Sequence, residues 1–351
     1  MPPSATSRPI LFTEIAQFGG AERAALALCR WLAQHGLECH IVAYDDRCGM
    51  AAHAAFPLEV VELKPAGTAW SKISALRRYF ANRPAPLVSG YQPALHATLA
   101  GLRGFHTLMH DSPSLFDPSG QRTMRRGLSN LIAGIGLRSG GATIVTSEFL
   151  RDECWHDFGV RAEIARMGGL TGTFTPRTPG KTLRLLSVSR IEPNKRIDWL
   201  LEALAELESV DWQFDVVGQG VLLDDLRALA ERLDIAQRVR FRGFVSDADL
   251  EALYEHADLF LMPAVQGYGI PAIEALSRGI PVFLHRDSGV SDILRDTPWA
   301  TVMEGGKANT AAALAKAMDG VMNRQHLNAA PPELPTEDAW AERVAQLCGW
   351  V

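Results

Sequence analysis

Leu259-Phe-Leu-Met-Pro-Ala-Val-Gln-Gly-Tyr-Gly-Ile-Pro-Ala-Ile-Glu-Ala-Leu-Ser-Arg-Gly-Ile-Pro-Val-Phe-Leu-His285 reads as one strand–helix–strand unit. The run Leu259 to Pro263 is apolar without alternation, as a strand buried on both faces must be. After a glycine-bearing loop, Pro271 suits the first turn of a helix that continues to Arg278. A second apolar strand follows at Ile280 to His285.

The same alternation extends upstream. It predicts strands at Leu183–Ser189, Trp212–Val217 and Arg238–Arg242, and helices at Ile197–Leu207, Val221–Leu233 and Asp247–His256. The first half repeats it. A strand from Pro9 to Glu14 leads through Gln17-Phe-Gly-Gly20 into a helix carrying Ala25, Leu28 and Leu32 on one face. Gly36 ends that helix before strand Glu38–Ala43, and further strands are expected at Glu59–Leu63, Pro86–Ser89, Phe105–Met109 and Ala142–Thr146. Alternating strands and helices imply an α/β chain, here two tandem Rossmann-like, doubly wound parallel sheets. Between them, Gly168 to Gly180 is a Gly-, Thr- and Pro-rich run read as an interdomain hinge. The expected domains are 1–170 and 181–330, with a helix in 336–351 crossing back onto the first.

Composition narrows the function. Among 351 residues, 47% are apolar and 21% charged, which excludes disordered, collagen-like and coiled-coil chains. A net charge of −5 gives no overall drive toward nucleic acid. The five Cys are odd in number and lack a Cys-x-x-Cys spacing, so neither a disulfide framework nor a zinc site is expected. A polar Met1–Pro9 and no apolar run long enough to span a bilayer predict a cytoplasmic, non-spanning chain.

Ligands of open parallel sheets bind at the carboxyl ends of strands, and four loops there carry chemistry. Gly19-Gly20 either lets backbone N–H groups approach an oxyanion at a helix start or makes a tight turn. Ser189-Arg190-Ile-Glu-Pro-Asn-Lys195-Arg196 offers cations suited to a diphosphate, or a solvated basic loop. In Gln266-Gly-Tyr268-Gly269-Ile270-Pro271-Ala-Ile-Glu274, the carboxylate either accepts hydrogen bonds from a ribose or favours the helix N-terminus by its charge. His110-Asp-Ser-Pro113 places an imidazole where a substrate hydroxyl would lie.

Together these loops resemble the GT-B glycosyltransferases, specifically family 4. The resemblance spans nearly the whole chain: Phe18-Gly-Gly-Ala-Glu-Arg23, Ser187-Val-Ser-Arg190 with Lys195, Val217-Gly-Gln-Gly220, Phe241-Arg-Gly-Phe244, and the Leu259–Val282 block with its Gly-Tyr-Gly-Ile-Pro core. It implies a retaining hexosyltransferase that binds a nucleotide diphosphate sugar between the domains. Arg190 and Lys195 would hold the diphosphate, Glu274 the ribose, and Gly19 and Gly20 the phosphate. His110 would orient the sugar, and the amides of Tyr268, Gly269 and Ile270 would lie beside it. The first acid of the family's signature is replaced by Gln266, which supplies no charge. The hinge has Gly168-Gly169 where Asn-Gly is usual, and Ser291-Asp292 stands where Pro-Glu is frequent.

No cofactor or metal is expected. The only Asp-x-Asp string, Asp247-Ala-Asp249, opens a helix after Ser246 and reads as N-terminal charge, while Arg190 and Lys195 provide the positive charge a metal would bring. Lys64 to Arg138 carries ten Lys and Arg against Asp111 and Asp117. Its basic stretches accompany Ile73, Leu76, Tyr79 and Phe80, then Leu128, Leu131, Ile132 and Ile135, which suggests peripheral contact with anionic lipid at the inner membrane face. The expected acceptor is a glycan or a lipid-linked species in surface polysaccharide or glycolipid synthesis. The competing reading is a catalytically silent sugar-nucleotide binding subunit, to which Gln266 conforms.

Overall fold

The computed structural model describes residues 7–111, 124–169, 172–207 and 209–351. The chain divides into two compact units, Met1–Gly168 with Pro335–Val351, and Gly169–Leu334.

In unit 1 the elements are β1 (Arg8–Leu11), β2 (Glu14–Ile15), α1 (Gly20–Gln34), β3 (Cys39–Ala43), β4 (Asp45–Asp46), β5 (Glu59–Glu62), α2 (Ala69–Tyr79), β6 (Leu87–Ser89), α3 (Tyr91–Leu99), β7 (His106–Met109), α4 (Met124–Leu137), β8 (Thr143–Val145), α5 (Glu148–Phe158) and β9 (Glu163–Ile164). Seven strands form one sheet in the order β5-β3-β1-β6-β7-β8-β9, with every pair parallel. The order reverses between β1 and β6, the switch point at which such sheets open a ligand crevice. The strand expected to run to Glu14 instead stops at Leu11. Glu14 leaves the sheet to pair with Asp45 in a separate two-stranded ladder, where Lys72 holds it at 2.9 Å.

Unit 2 contains β10 (Leu183–Val188), α6 (Ile197–Glu206), β11 (Trp212–Val217), α7 (Leu223–Arg232), β12 (Val239–Gly243), α8 (Asp247–His256), β13 (Leu259–Met262), α9 (Ile270–Ser277), β14 (Val282–His285), α10 (Ser291–Leu294), β15 (Ala300–Met303) and α11 (Thr310–Met322). Its six parallel strands run β12-β11-β10-β13-β14-β15, reversing between β10 and β13. The residues of the opening quotation supply β13, α9 and β14; the first and last residues of α9 and the start of β14 shift by one or two positions from the expected bounds. Leu185, Phe214 and Val216 turn to one face and join Leu200, Leu201 and Leu204 of α6 in the core.

The helix α12 (Glu337–Leu347) belongs to unit 1. Thr336 caps it, with Oγ1 accepting from the Ala339 N–H at 3.2 Å. It packs on α1, burying Trp340, Ala341, Val344 and Ala345, and Arg30 of α1 reaches Glu337 at 3.1 Å and Asp338 at 3.0 Å.

Candidate functional site

The unit 2 site is built on the carboxyl ends of β10, β13 and β14. Glycines set the height of the first loop. Gly218 has φ +132° and abuts the Ser189 carbonyl, so a side chain there would overlap backbone; Gly220 presses in the same way on the Ile191 carbonyl. The Ile191 N–H donates to the Gln219 carbonyl at 2.9 Å, completing a flat seat for Ser189–Ile191.

From that seat Arg190 projects into solvent, its guanidinium 2.7 Å from Glu192. Lys195 ends a short turn, Pro193–Lys195, and its Nζ donates to Gln266 Oε1 at 2.7 Å. The β10 and β13 loops are stitched again by Asn194, whose carbonyl accepts from the Val265 N–H at 3.2 Å. Gln266 is therefore the neutral acceptor that aims the Lys195 ammonium. Arg196, at φ +56°, lies 4.1 Å from the Trp199 ring.

The β14 loop closes the other side. The Gln266 carbonyl accepts from the Gly289 N–H at 3.1 Å, and the Tyr268 carbonyl accepts from Ser288 Oγ at 3.0 Å and the Val290 N–H at 3.1 Å. Tyr268 is buried, and Gly269 has φ +131°, with Met262 Cε only 2.5 Å from where a Cβ would stand. Ile270 then begins α9, and Glu274 lies one turn further on. The residue is 7% exposed and its carboxylate accepts from Tyr254 Oη at 3.4 Å, while Gly169 packs against its Cγ. His285 Nδ1 accepts from the Asp287 N–H at 3.1 Å, which leaves Nε2–H to donate to the Gly305 carbonyl at 2.9 Å. Burial is the chief cause that lowers its pKa and keeps it neutral.

In unit 1 the sequence-predicted residues lie between β2 and the start of α1 and just after β7. Gly19 is extended, and its N–H already donates to Glu22 Oε2 at 3.0 Å, so the chain's own carboxylate takes the donor that a phosphate would use. Gly20 is the first residue of α1. His110 retains part of its surface, yet burial of its imidazole pushes its pKa down to about 4; Nε2 is hydrogen-bonded to Ser89 Oγ at 3.0 Å. It is thus a neutral hydrogen-bonding group at pH 7. Ser112 and Pro113, which follow it, lie outside the described residues.

Sequence reasoning missed Asn194, Ser288 and Tyr254, which act on the loops through hydrogen bonds to distant segments and belong to no local pattern. The apolar residues of α2 are a correction. Leu76 and Phe80 are in the unit 1 core, and Tyr79 is bonded to His40 at 3.0 Å, so they present no lipid-facing stripe. Leu128, Leu131 and Ile135 of α4 do stand exposed, with Leu99 at the end of α3. Of the basic residues near α4, Arg122 lies outside the described residues, as do the side chains of Arg125 and Arg126. Among the described residues no group of three or more metal-ligating side chains comes together. Asp249 instead accepts from Ser246 Oγ at 2.7 Å at the start of α8.

Residues 18–167 match the sequence pattern of glycosyltransferase family 4, and residues 174–333 that of the glycosyl transferases of group 1. The chain belongs to the family 4 glycosyltransferases. Its two sheets are those of the GT-B fold. Among its relatives is a GDP-mannose-dependent alpha-(1-6)-phosphatidylinositol monomannoside mannosyltransferase of Mycolicibacterium smegmatis, 33% identical over 34% of each chain. Another is a GDP-mannose:cellobiosyl-diphosphopolyprenol alpha-mannosyltransferase of Komagataeibacter xylinus, 33% identical over 48% of this chain and 40% of that one. The matched part thus spans about a third of the length of the curated relatives. For the fold, the crystal structure of Anabaena HepE in complex with UDP-glucose matches with a TM-score of 0.73 at 16% identity, covering 98% of this chain and 100% of that one.

Proposed function

We propose that this family 4 member is a retaining glycosyltransferase that moves a hexose-type sugar from a nucleotide diphosphate donor to a glycan or lipid-linked acceptor. The observation that carries this reading is the Lys195–Gln266 contact, which fixes an ammonium at the switch point of a sheet whose other strand-end groups are glycine-backed amides. In the proposed reaction the bond from the anomeric carbon to the donor phosphate breaks, and the acceptor oxygen bonds to the same face. The acceptor's proton passes to the leaving phosphate. Lys195 and Arg190 would offset the charge that grows there, without a metal or other cofactor. Tyr268, Gly269 and Ile270 would line the sugar side, and the buried Glu274 would take the ribose. By the family resemblance, His110 would meet a sugar hydroxyl and Gly19 and Gly20 the phosphate.

The relatives' names support the substrate classes: two use GDP-mannose, on a phosphatidylinositol monomannoside and on a diphosphopolyprenol acceptor, and the structural neighbour holds UDP-glucose. Among the described residues no helix is long and apolar enough to cross a membrane. The exposed Leu128, Leu131 and Ile135 support assigning contact with a lipid-borne acceptor to a peripheral surface of which they are the apolar part. Gln266 and the self-occupied Gly19 N–H favour the second reading, a sugar-nucleotide binding subunit without turnover.

Incubation with GDP-, UDP-, ADP- and TDP-sugars, with and without chelator, tests the proposal. Slow release of nucleoside diphosphate and free sugar, unaffected by chelation and lost in Lys195→Ala, is expected. Tight binding with no release from any donor or acceptor would leave the silent subunit, and an absolute need for magnesium or manganese would remove Lys195 and Arg190 from their role.

A further inference from the structure

We propose a second anion site, on the opposite face of the unit 2 sheet from its α6-packed core, which binds a phosphate-bearing molecule of sugar size. A doubly wound sheet ordinarily covers both faces with helices. Here the β11–β12 end of one face is only partly covered, and a cleft of about 450 Å³ remains between it and α8. That volume lies within the range of small-ligand sites.

Register decides which side chains line it. Leu186, Asp215 and Arg240 are cross-strand neighbours on β10, β11 and β12 and so point to one face. Arg184, two residues before Leu186, shares that face. Arg242, passed over by the register shift beside Val216 and Val217, turns toward Asp215 and bonds it at 2.6 Å. The opposite face carries Leu185, Phe214 and Val216 into the core. Three arginines therefore gather on this open part of the sheet.

Charge identifies the ligand. Asp215 is already balanced by Arg242, whereas Asp249, across the cleft on α8, accepts from the neutral Ser246 hydroxyl and keeps its charge. Among the described residues neither Arg184 nor Arg240 has a carboxylate at ion-pair distance. Arg184 feels the buried Asp258, but that carboxylate accepts from its backbone N–H at 2.9 Å and sits 3.7 Å from Arg177. Three arginines against Asp215 and Asp249 leave the cleft lining with one net positive charge, and the two guanidiniums without a carboxylate partner offer the donors that a phosphomonoester's oxygens accept. Arg184 and Arg240 lie on strands two spacings apart and are offset by two residues along them, about 12 Å between Cα atoms, a gap that two extended arginines can close on one phosphate. Leu253 and Ala252 of α8 give the cleft an apolar wall for the body of the ligand.

Calorimetric titration of the chain with glucose 6-phosphate, with glucose as the uncharged control, tests the site. The sugar phosphate should bind and glucose should not. The double substitution Arg184→Gln with Arg240→Gln should weaken binding at least about tenfold with an unchanged thermal melt, as should the charge reversal Arg240→Glu. Lys195→Ala, on the donor loops, should leave it intact. Failure of the wild-type chain to bind, equal affinity in the arginine variants, or loss in Lys195→Ala would each overturn the proposal.

Discussion

At the scale of single residues, the Lys195–Gln266 pair sets the first expectation. Under the proposed reaction, removing the ammonium with Lys195→Ala should lower kcat/KM for the donor about 10²-fold, because it would subtract charge from the point where the leaving phosphate gains it. Gln266→Ala should cost less, about tenfold, since it frees the ammonium without abolishing it. Steady-state kinetics on both variants checks the order, and equal losses would show that aim matters as much as charge. Either residue was conspicuous in the sequence by type and place. Their contact was not, because 71 positions separate them and only the adjacency of β10 and β13 joins them. Glu192 is the converse case, lying two residues from Arg190 and pairing with it, so the exposed guanidinium meets a competitor before any ligand arrives.

At the scale of elements, the glycines make firm demands. Gly218→Ala should destabilise unit 2 by about 2 kcal/mol or more, because a methyl meets the Ser189 carbonyl and φ is in the region that L side chains avoid. A chemical melt reads this directly, and an unchanged midpoint would mean that the Arg190 loop yields readily. Trp340→Ala should cost about 3–5 kcal/mol, since the ring is buried where α12 meets α1. The regular strand–helix alternation was legible because apolar runs and glycine stops coincide. The strand β15 and helix α11 were not. The first has three half-exposed residues in four, and the second opens on Thr310-Ala-Ala-Ala, which carries no stripe. The β2–β4 ladder escaped notice because it is two residues per strand, Glu14-Ile15 against Asp45-Asp46, too short to show any alternation.

For the whole molecule, buried imidazoles make stability depend on pH. Burial pushes His40 and His110 down to about 4, and lowers His96, His106, His285 and His326 as well. In the unfolded chain these groups take up protons near 6.5. Between about pH 6.5 and 4 the unfolded state therefore binds more protons, so this stability is complete above 6.5 and drains away as the pH falls toward 4. Denaturant melts across that interval should show a falling midpoint, and His40→Asn should flatten the slope. A midpoint that holds steady would show that water reaches these rings.

Unit 1 is assembled from two separated stretches, with Gly169–Leu334 emerging from the ribosome between them. Until Pro335–Val351 has been translated, α1 has no Trp340 to cover it, whereas every strand of unit 2 is already available. The later unit can thus finish folding while the earlier one waits for the cover of α1.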